Sequence, residues 1–410
     1  MTSRREIIGA GLGLALFPKL GPPRRPKLAA VVTAYTWLSH ADVILGRLLD
    51  GSSPDGIRHP PRTELVSLYL DQVTPRDMGI EVAGRHGIAV YPTVSEALCL
   101  GGPRLAVDGV VLIGEHGDYP TNPAGQKLYP RFELFQQVAA VYRSAGRSVP
   151  TFFDKHFSYD WPKAKAMWEM IQQLSIPLLA GSSVPVTVRR PPLEIPLGGK
   201  LTEAVVTGYG ELEAYGFHAI EALLCMVERR LGGEVGVRRV ELLRGEAVWR
   251  WRDGHGSWSQ PLLTAALQRH PAVAPGRMEE VVTDPAAFVI DFRDGLKAAL
   301  FSLNGLVLGH GIAVRNPDRA EPWSTFFVEG GPPFAPEEGG TRPLPNFDGL
   351  ARVIESLMVT RQPPWPAERT LLSTGILAAL FESKSRGGPV ETADLGIAYR
   401  PARRPYFQRQ

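Results

Sequence analysis

Residues 152–158 read Phe-Phe-Asp-Lys-His-Phe-Ser, so an apolar run hands over in succession an acid (Asp154), an ammonium (Lys155) and an imidazole (His156). Such groups exchange protons near neutral pH once their surroundings tune them, which is the equipment of acid–base catalysis. Further on, Tyr-Gly-Phe-His-Ala-Ile-Glu at 215–221 opens a helix-like run that carries His218 and, three residues later on a neighbouring face, Glu221. A carboxylate one turn away would fix the tautomer of the imidazole or raise its basicity. Lys155 and His218, borne by separate segments, are the pair expected to flank one reacting centre, with Asp154 and Glu221 as supporting acids.

Other polar groups fall at comparable positions. Gly114-Glu115-His116-Gly117-Asp118-Tyr119-Pro120 follows the apolar run at 109–113. Glu115, His116, Asp154, His156, His218 and Glu221 are nitrogen and oxygen ligands of the kind a divalent metal accepts. No spacing such as H-E-x-x-H puts several of them on one element, so an ordinary polar crevice is the preferred reading and no metal ligand is assigned. Ala180-Gly181-Ser182-Ser183-Val184-Pro185-Val186 either lines the crevice with hydroxyls or serves as a plain connector. Tyr159, Trp161, Tyr209 and Tyr215 lie near the candidate site in sequence, where they either stack on a sugar ring or pack the core. His40, His255, His270 and His310 read as structural or solvated groups.

The elements that must position these groups follow from periodicity. Apolar strands at 28–34, 65–70, 88–90, 109–113, 149–153 and 177–180 alternate with helical patterns at 41–49, 74–85, 94–98, 129–144 and 162–174. Strands uninterrupted by polar residues are buried on both faces, which specifies a Rossmann-like, doubly wound parallel sheet over 28–182. Side chains at the carboxyl ends of such strands project into the crevice where ligands sit, and that is the position of Lys155. Strand-like runs then lie close together at 203–207, 237–243, 248–251, 287–292, 297–303 and 323–328, which implies an α+β domain with a mainly antiparallel sheet over 183–399, followed by a tail at 400–410. Helical patterns return at 216–230, 349–359 and 367–383, and the Pro/Gly-rich stretch 330–345 reads as a surface loop.

The N-terminus speaks to location. Ser3-Arg4-Arg5-Glu6 precedes an apolar run at 7–17 that is too short to span a bilayer, so 1–27 reads as a twin-arginine export signal. No A-x-A site lies between Phe17 and Lys27, and an uncleaved segment would act as a weak membrane tether in a periplasmic or extracellular protein. The 45 basic and 42 acidic residues give a net charge of +3 without a basic, aromatic-rich face, which argues against nucleic acid. Cys99 and Cys225 sit in apolar contexts suited to buried thiols, and an oxidising compartment would also permit a disulfide between them.

The order of elements, the acid-Lys pair after the fifth strand, the helix with His218 followed by Glu221, and the closing region 367–399 together resemble the glucose-fructose oxidoreductase/inositol dehydrogenase (Gfo/Idh/MocA) superfamily over most of 28–399. That resemblance implies a nicotinamide cofactor, NAD or NADP, a sugar- or cyclitol-like substrate, and a homo-oligomer. The family's Glu-Lys-Pro matches Asp154-Lys155-His156, and its helix histidine matches His218. The family's acid four residues before that histidine is Ala214 here, with Glu213 one position away and rotated by about 100°. Where the family has a glycine-rich turn after the first strand, this chain has Thr33-Ala34-Tyr35-Thr36-Trp37-Leu38, and side chains stand where a pyrophosphate would approach. The resemblance places Tyr35, Thr36, Trp37 and Asp71 against the dinucleotide, Asp71 either on a ribose or as a helix cap, and Glu115 and His116 in a loop that meets substrate and cofactor. Three functions remain open: an exported oxidoreductase with a tightly held nicotinamide, which the resemblance favours; a cofactor-free or metal-assisted lyase, epimerase or hydrolase; and a carbohydrate-binding protein.

Overall fold

A computed structural model describes residues 24–53, 57–330 and 344–404. The export segment up to residue 23 and most of the 330–345 stretch lie outside the described residues.

The first half runs β1 (Lys27–Val32), α1 (His40–Asp50), β2 (Glu64–Leu70), α2 (Gly79–His86), β3 (Ala89–Tyr91), α3 (Val94–Cys99), β4 (Gly109–Ile113), α4 (Arg131–Ala145), β5 (Thr151–Asp154), α5 (Trp161–Gln173) and β6 (Leu178–Gly181). Its sheet has the order β3-β2-β1-β4-β5-β6, and every pairing is parallel. Successive strand residues point to opposite faces. Leu28, Ala30 and Val32 therefore pack with α1, whereas Ala29 and Val31 pack with α3 and α4. The sheet changes direction between β1 and β4, which puts the crevice above their carboxyl ends.

The second half runs β7 (Val188–Arg190), β8 (Glu203–Gly208), α6 (Ala214–Val227), β9 (Val237–Arg244), α7 (Glu246–Asp253), α8 (Gln260–Leu267), α9 (Met278–Val281), β10 (Ala286–Phe292), β11 (Lys297–Ser302), β12 (His310–Arg315), β13 (Trp323–Val328), α10 (Asn346–Thr360), α11 (Glu368–Arg386) and β14 (Val390–Glu391). The sheet order is β14-β9-β10-β11-β8-β12-β13-β7. Its pairs are antiparallel except β8 with β11. One face packs on α6 and α11, the other on α7 and α8. Helix α10 returns to the first sheet, where Phe347, Leu350 and Ile354 join the core shared with α1.

Two expectations are corrected, one strand and one helix start. Residues 248–251 are helix α7, not a strand: Val248 and Trp249 have strand-like propensity, but they are buried as neighbours on a helix launched by Gly245 at φ +57°. Helix α2 starts at Gly79, because Thr74 to Asp77 close a turn first. Cys99 and Cys225 are both buried free thiols. No helix among the described residues is long and apolar enough to cross a membrane.

Candidate functional site

Strand β5 ends by turning over at Lys155, whose φ of +66° is left-handed. That geometry costs a side-chain-bearing residue roughly 1–2 kcal/mol, and such strain collects at functional positions. Leu38 after β1 (φ +58°) and His116 after β4 (φ +70°) share it, so all three strand ends bordering the crevice are distorted. The Lys155 amide donates to Gly181 O. Gly181 must be glycine: at φ +123°, a Cβ there would stand 2.7 Å from Glu221 Oε2.

The Lys155 ammonium is 3.2 Å from Glu115 Oε1 and donates to Ala214 O at 3.2 Å. Ala214 begins α6, one turn before His218, so the lysine of the first sheet meets the helix of the second. The other oxygen of Glu115 accepts from Arg131 at 2.6 Å. Burial works against ionisation of Glu115, but Lys155 and Arg131, followed by His40 and His116, hold its carboxyl well below the usual range. Arg131 also donates to His156 Nε2 at 2.7 Å. A guanidinium only donates, so that nitrogen is bare. Burial, then Arg131, lowers His156 to about 4.

A row of imidazoles crosses the crevice. His40, the first residue of α1, places Nδ1 2.6 Å from Asp154 Oδ2. Its ring lies 5.3 Å from that of His116 and 6.4 Å from that of His218, centroid to centroid. His218 is 6.4 Å from His310, whose Nδ1 meets Glu329 Oε1 at 2.6 Å. His218 Nδ1 pairs with Ser182 Oγ, which itself accepts from Val184 N–H. Burial first, then the Lys155 charge, hold His218 well below its usual value, so it is neutral at pH 7. Burial and His40 bring His116 down to about 4. Every residue from Gly216 to Val227 is buried, which makes α6 a rigid mount for His218.

Not every expected residue joins in. Glu221 does not reach His218: its carboxylate accepts from Ser373 Oγ at 2.7 Å and lies 3.8 Å from Arg369, because three residues along a helix turn it to the next face. Asp154 serves His40 rather than Lys155. Asp71 is exposed and accepts from the Tyr69 and Tyr119 hydroxyls, and it does not cap α2, whose N-cap is Met78. Glu213 accepts from Lys127 N–H and sits 3.7 Å from His156. Tyr209 and Tyr215 pack on His310 and His218, whereas Tyr159 and Trp161 line a separate hollow. Sequence reasoning set His40 and His310 aside and missed Arg131; the strand-end rule that found Lys155 would also have found His40, but nothing in the sequence marks Arg131.

The first turn is filled from within. Tyr35 is 1% exposed and its carbonyl accepts from Met78 N–H, while Trp37 is 59% exposed and points away from the core. Leu38 N–H donates to Asp42 Oδ2 at 3.1 Å, and Thr36 and Asp42 N–H both donate to Ser39 Oγ. His40 N–H donates to His116 Nδ1. The anion at the start of α1 is thus the buried carboxylate of Asp42. A helix N-terminus offers an anion about 1 kcal/mol, whereas a second unit charge ~4 Å from Asp42 would meet about 4 kcal/mol of repulsion.

A cleft of about 720 Å³ opens beside this cluster, lined by buried Glu115, Arg131, His156 and Glu213 and by the more exposed Lys127 and Lys384. Lys155 and His218 do not line it, although two of its lining residues, Glu115 and Ala214, both touch Lys155. Among the described residues no three His, Cys, Asp or Glu side chains are arranged to hold a metal ion.

No protein-family model and no curated protein matches the sequence. Solved structures share the fold. GenD2 from gentamicin A biosynthesis, in complex with NAD, has a TM-score of 0.55 at 15% identity, over 92% of this chain and 99% of that one. Scyllo-inositol dehydrogenase from Lactobacillus casei, with NAD(H) and scyllo-inositol bound, gives 0.53 at 14%, over 90% and 100%. An oxidoreductase from Agrobacterium radiobacter, in complex with NAD+, L-tartaric acid and magnesium, gives 0.54 at 12%, over 90% and 98%. At these identities the likeness is one of fold: a Rossmann-like parallel sheet joined to a second, mainly antiparallel sheet, the two-domain arrangement that the sequence led us to expect.

Proposed function

We propose that this chain is an oxidoreductase-like enzyme acting at a hydroxyl-bearing carbon of a sugar- or cyclitol-type molecule, with Lys155 and His218 handling the proton. The observation that carries the reading is the Lys155 ammonium, held in a strained position between Glu115 and the carbonyl one turn before His218. His218, kept neutral, is equipped to take a proton, and the ammonium is equipped to stabilise an oxyanion. A scyllo-inositol dehydrogenase with this fold and bound NAD(H) supports the reaction class by kinship of fold alone.

A nicotinamide, tightly held in an exported enzyme, would supply a hydride acceptor. The residues present do not fit one seated in the fold's usual way, since the Asp42 carboxylate already holds the Leu38 amide at the start of α1 and the first turn carries side chains in place of glycines. The proton chemistry of Lys155 and His218 stands without it.

The test is a panel of polyols, beginning with scyllo-inositol, and of their keto forms, incubated with the protein in D2O with and without added NAD+ as hydride acceptor and followed by NMR. Product, or deuterium entering a carbon-bound position, is expected with wild type and not with Lys155→Met. Equal conversion by both would sink the assignment.

We also propose export by the twin-arginine route, on the strength of Arg4-Arg5 and the short apolar run behind them. Replacing both arginines with lysine should leave the protein in the cytoplasm on cell fractionation. Undiminished export of that variant would remove the proposal.

A further inference from the structure

In this sheet order the ligand crevice lies between β1 and β4, and the amides opening α1 are the fold's ready-made seat for a phosphate. The chain's own groups bridge the crevice and take the amides opening α1 except that of Ala41, to which the structure gives no acceptor. The amides of Leu38 and Asp42 are taken by Asp42 Oδ2 and Ser39 Oγ, those of His40 and Val43 by His116 Nδ1 and Ser39 O, and Asp42 is only 3% exposed. The His40–Asp154 pair then runs from the start of α1, beside β1, to the end of β5 two strands over. An incoming diphosphate would have to displace a buried carboxylate, and the rest of the dinucleotide would have to part this pair.

We infer that the crevice takes no dinucleotide and that the substrate is an α-hydroxy carbonyl sugar or ketocyclitol whose own carbonyl is the oxidant. This rests on the proposed function for the roles of Lys155 and His218, and goes beyond it in naming the co-reactant. The chemistry balances without an external redox partner. A neutral imidazole removes the proton from the hydroxyl-bearing carbon. The C–H electron pair forms the C=C bond of an enediolate, and the former carbonyl oxygen takes the charge beside the Lys155 ammonium. Reprotonation at the other carbon, with transfer of the hydroxyl proton, exchanges the carbonyl and the alcohol; reprotonation at the same carbon from the opposite face inverts it. His40, its Nδ1 held by Asp154, is the second imidazole, so that one base removes a proton and the other returns one.

The full-length protein is titrated calorimetrically with pyrophosphate, ADP-ribose, NAD+ and NADP+, and denatured protein is assayed for released nucleotide. Wild type is expected to show no saturable binding up to about 5 mM, weaker than about −3 kcal/mol of affinity, and to release no nucleotide. Asp42→Asn, which keeps an oxygen for Leu38 N–H but removes the charge, is expected to gain pyrophosphate binding by about tenfold or more. In D2O, deuterium should enter an inosose without added nucleotide. Saturable binding of NAD+ or ADP-ribose to wild type, nucleotide released on denaturation, or conversion that requires added NAD+ would each overturn the inference. Loss of conversion in Lys155→Met alongside any of those results would leave the proposed function standing.

Discussion

Lys155→Met is expected to abolish conversion of whichever panel substrate wild type accepts. The methionine keeps the aliphatic stem but cannot place a positive charge beside a developing oxyanion. Charge stabilisation of that kind commonly contributes more to the rate than any other single effect in such sites, with one donor worth roughly 10²–10³. Position at a strand end alone would leave stability untouched by the change. The buried contacts say otherwise. Glu115 loses one of its two cations and keeps Arg131 at 2.6 Å, while Ala214 O loses a donor. Breaking a charged, buried hydrogen bond costs about 1.5–3 kcal/mol, so the urea midpoint should fall. Lys155→Arg separates the two effects: it retains a cation for Glu115 and should recover much of the stability, yet misplace the charge and stay nearly inactive. Full activity in Lys155→Met would show the lysine to be an ion-pair partner only.

His218→Gln is expected to cost conversion by on the order of 10²-fold or more, the usual scale for losing a general base. The pH profile carries the sharper test. Burial and the neighbouring Lys155 charge lower the affinity of His218 for protons, so its neutral, basic form persists below the ordinary histidine range. Activity should therefore hold as pH drops through about 6.5 and decline only at lower pH, where His218 takes up a proton. An acid limb centred on the ordinary histidine value would contradict that environment. Ser182→Ala, which removes the Nδ1 partner, should move the limb and cost less than His218→Gln. A purely structural His218 would give neither shift.

The expectation that Glu221 sets the state of His218 fails for a geometric reason. Three residues on a helix place two side chains on adjacent faces without deciding which face turns to the crevice. Here one face of α6 meets the imidazole row, and the other meets α11, where Ser373 and Arg369 engage the carboxylate. The partner of the His218 Nδ1 is instead Ser182, from a stretch that the sequence left open between connector and crevice lining.

By itself the sequence determined the two-sheet architecture and the position of Lys155 at a strand end. Long apolar runs buried on both faces pair in parallel inside a layered sheet, and that rule is local to each run. It also determined that the first turn lacks glycine. Only the tertiary structure decided what stands around the lysine. His40 and Asp154 are 114 positions apart and meet at 2.6 Å; Arg131 and Glu115 meet because Gly114 lets the arginine stem lie within what would be 2.6 Å of a Cβ; Ser182, just past the last strand of the first sheet, meets His218 on a helix of the second. Hydrogen bonds and ion pairs depend on tenths of an ångström set by the packing of whole elements, and no periodicity along a single chain encodes that distance.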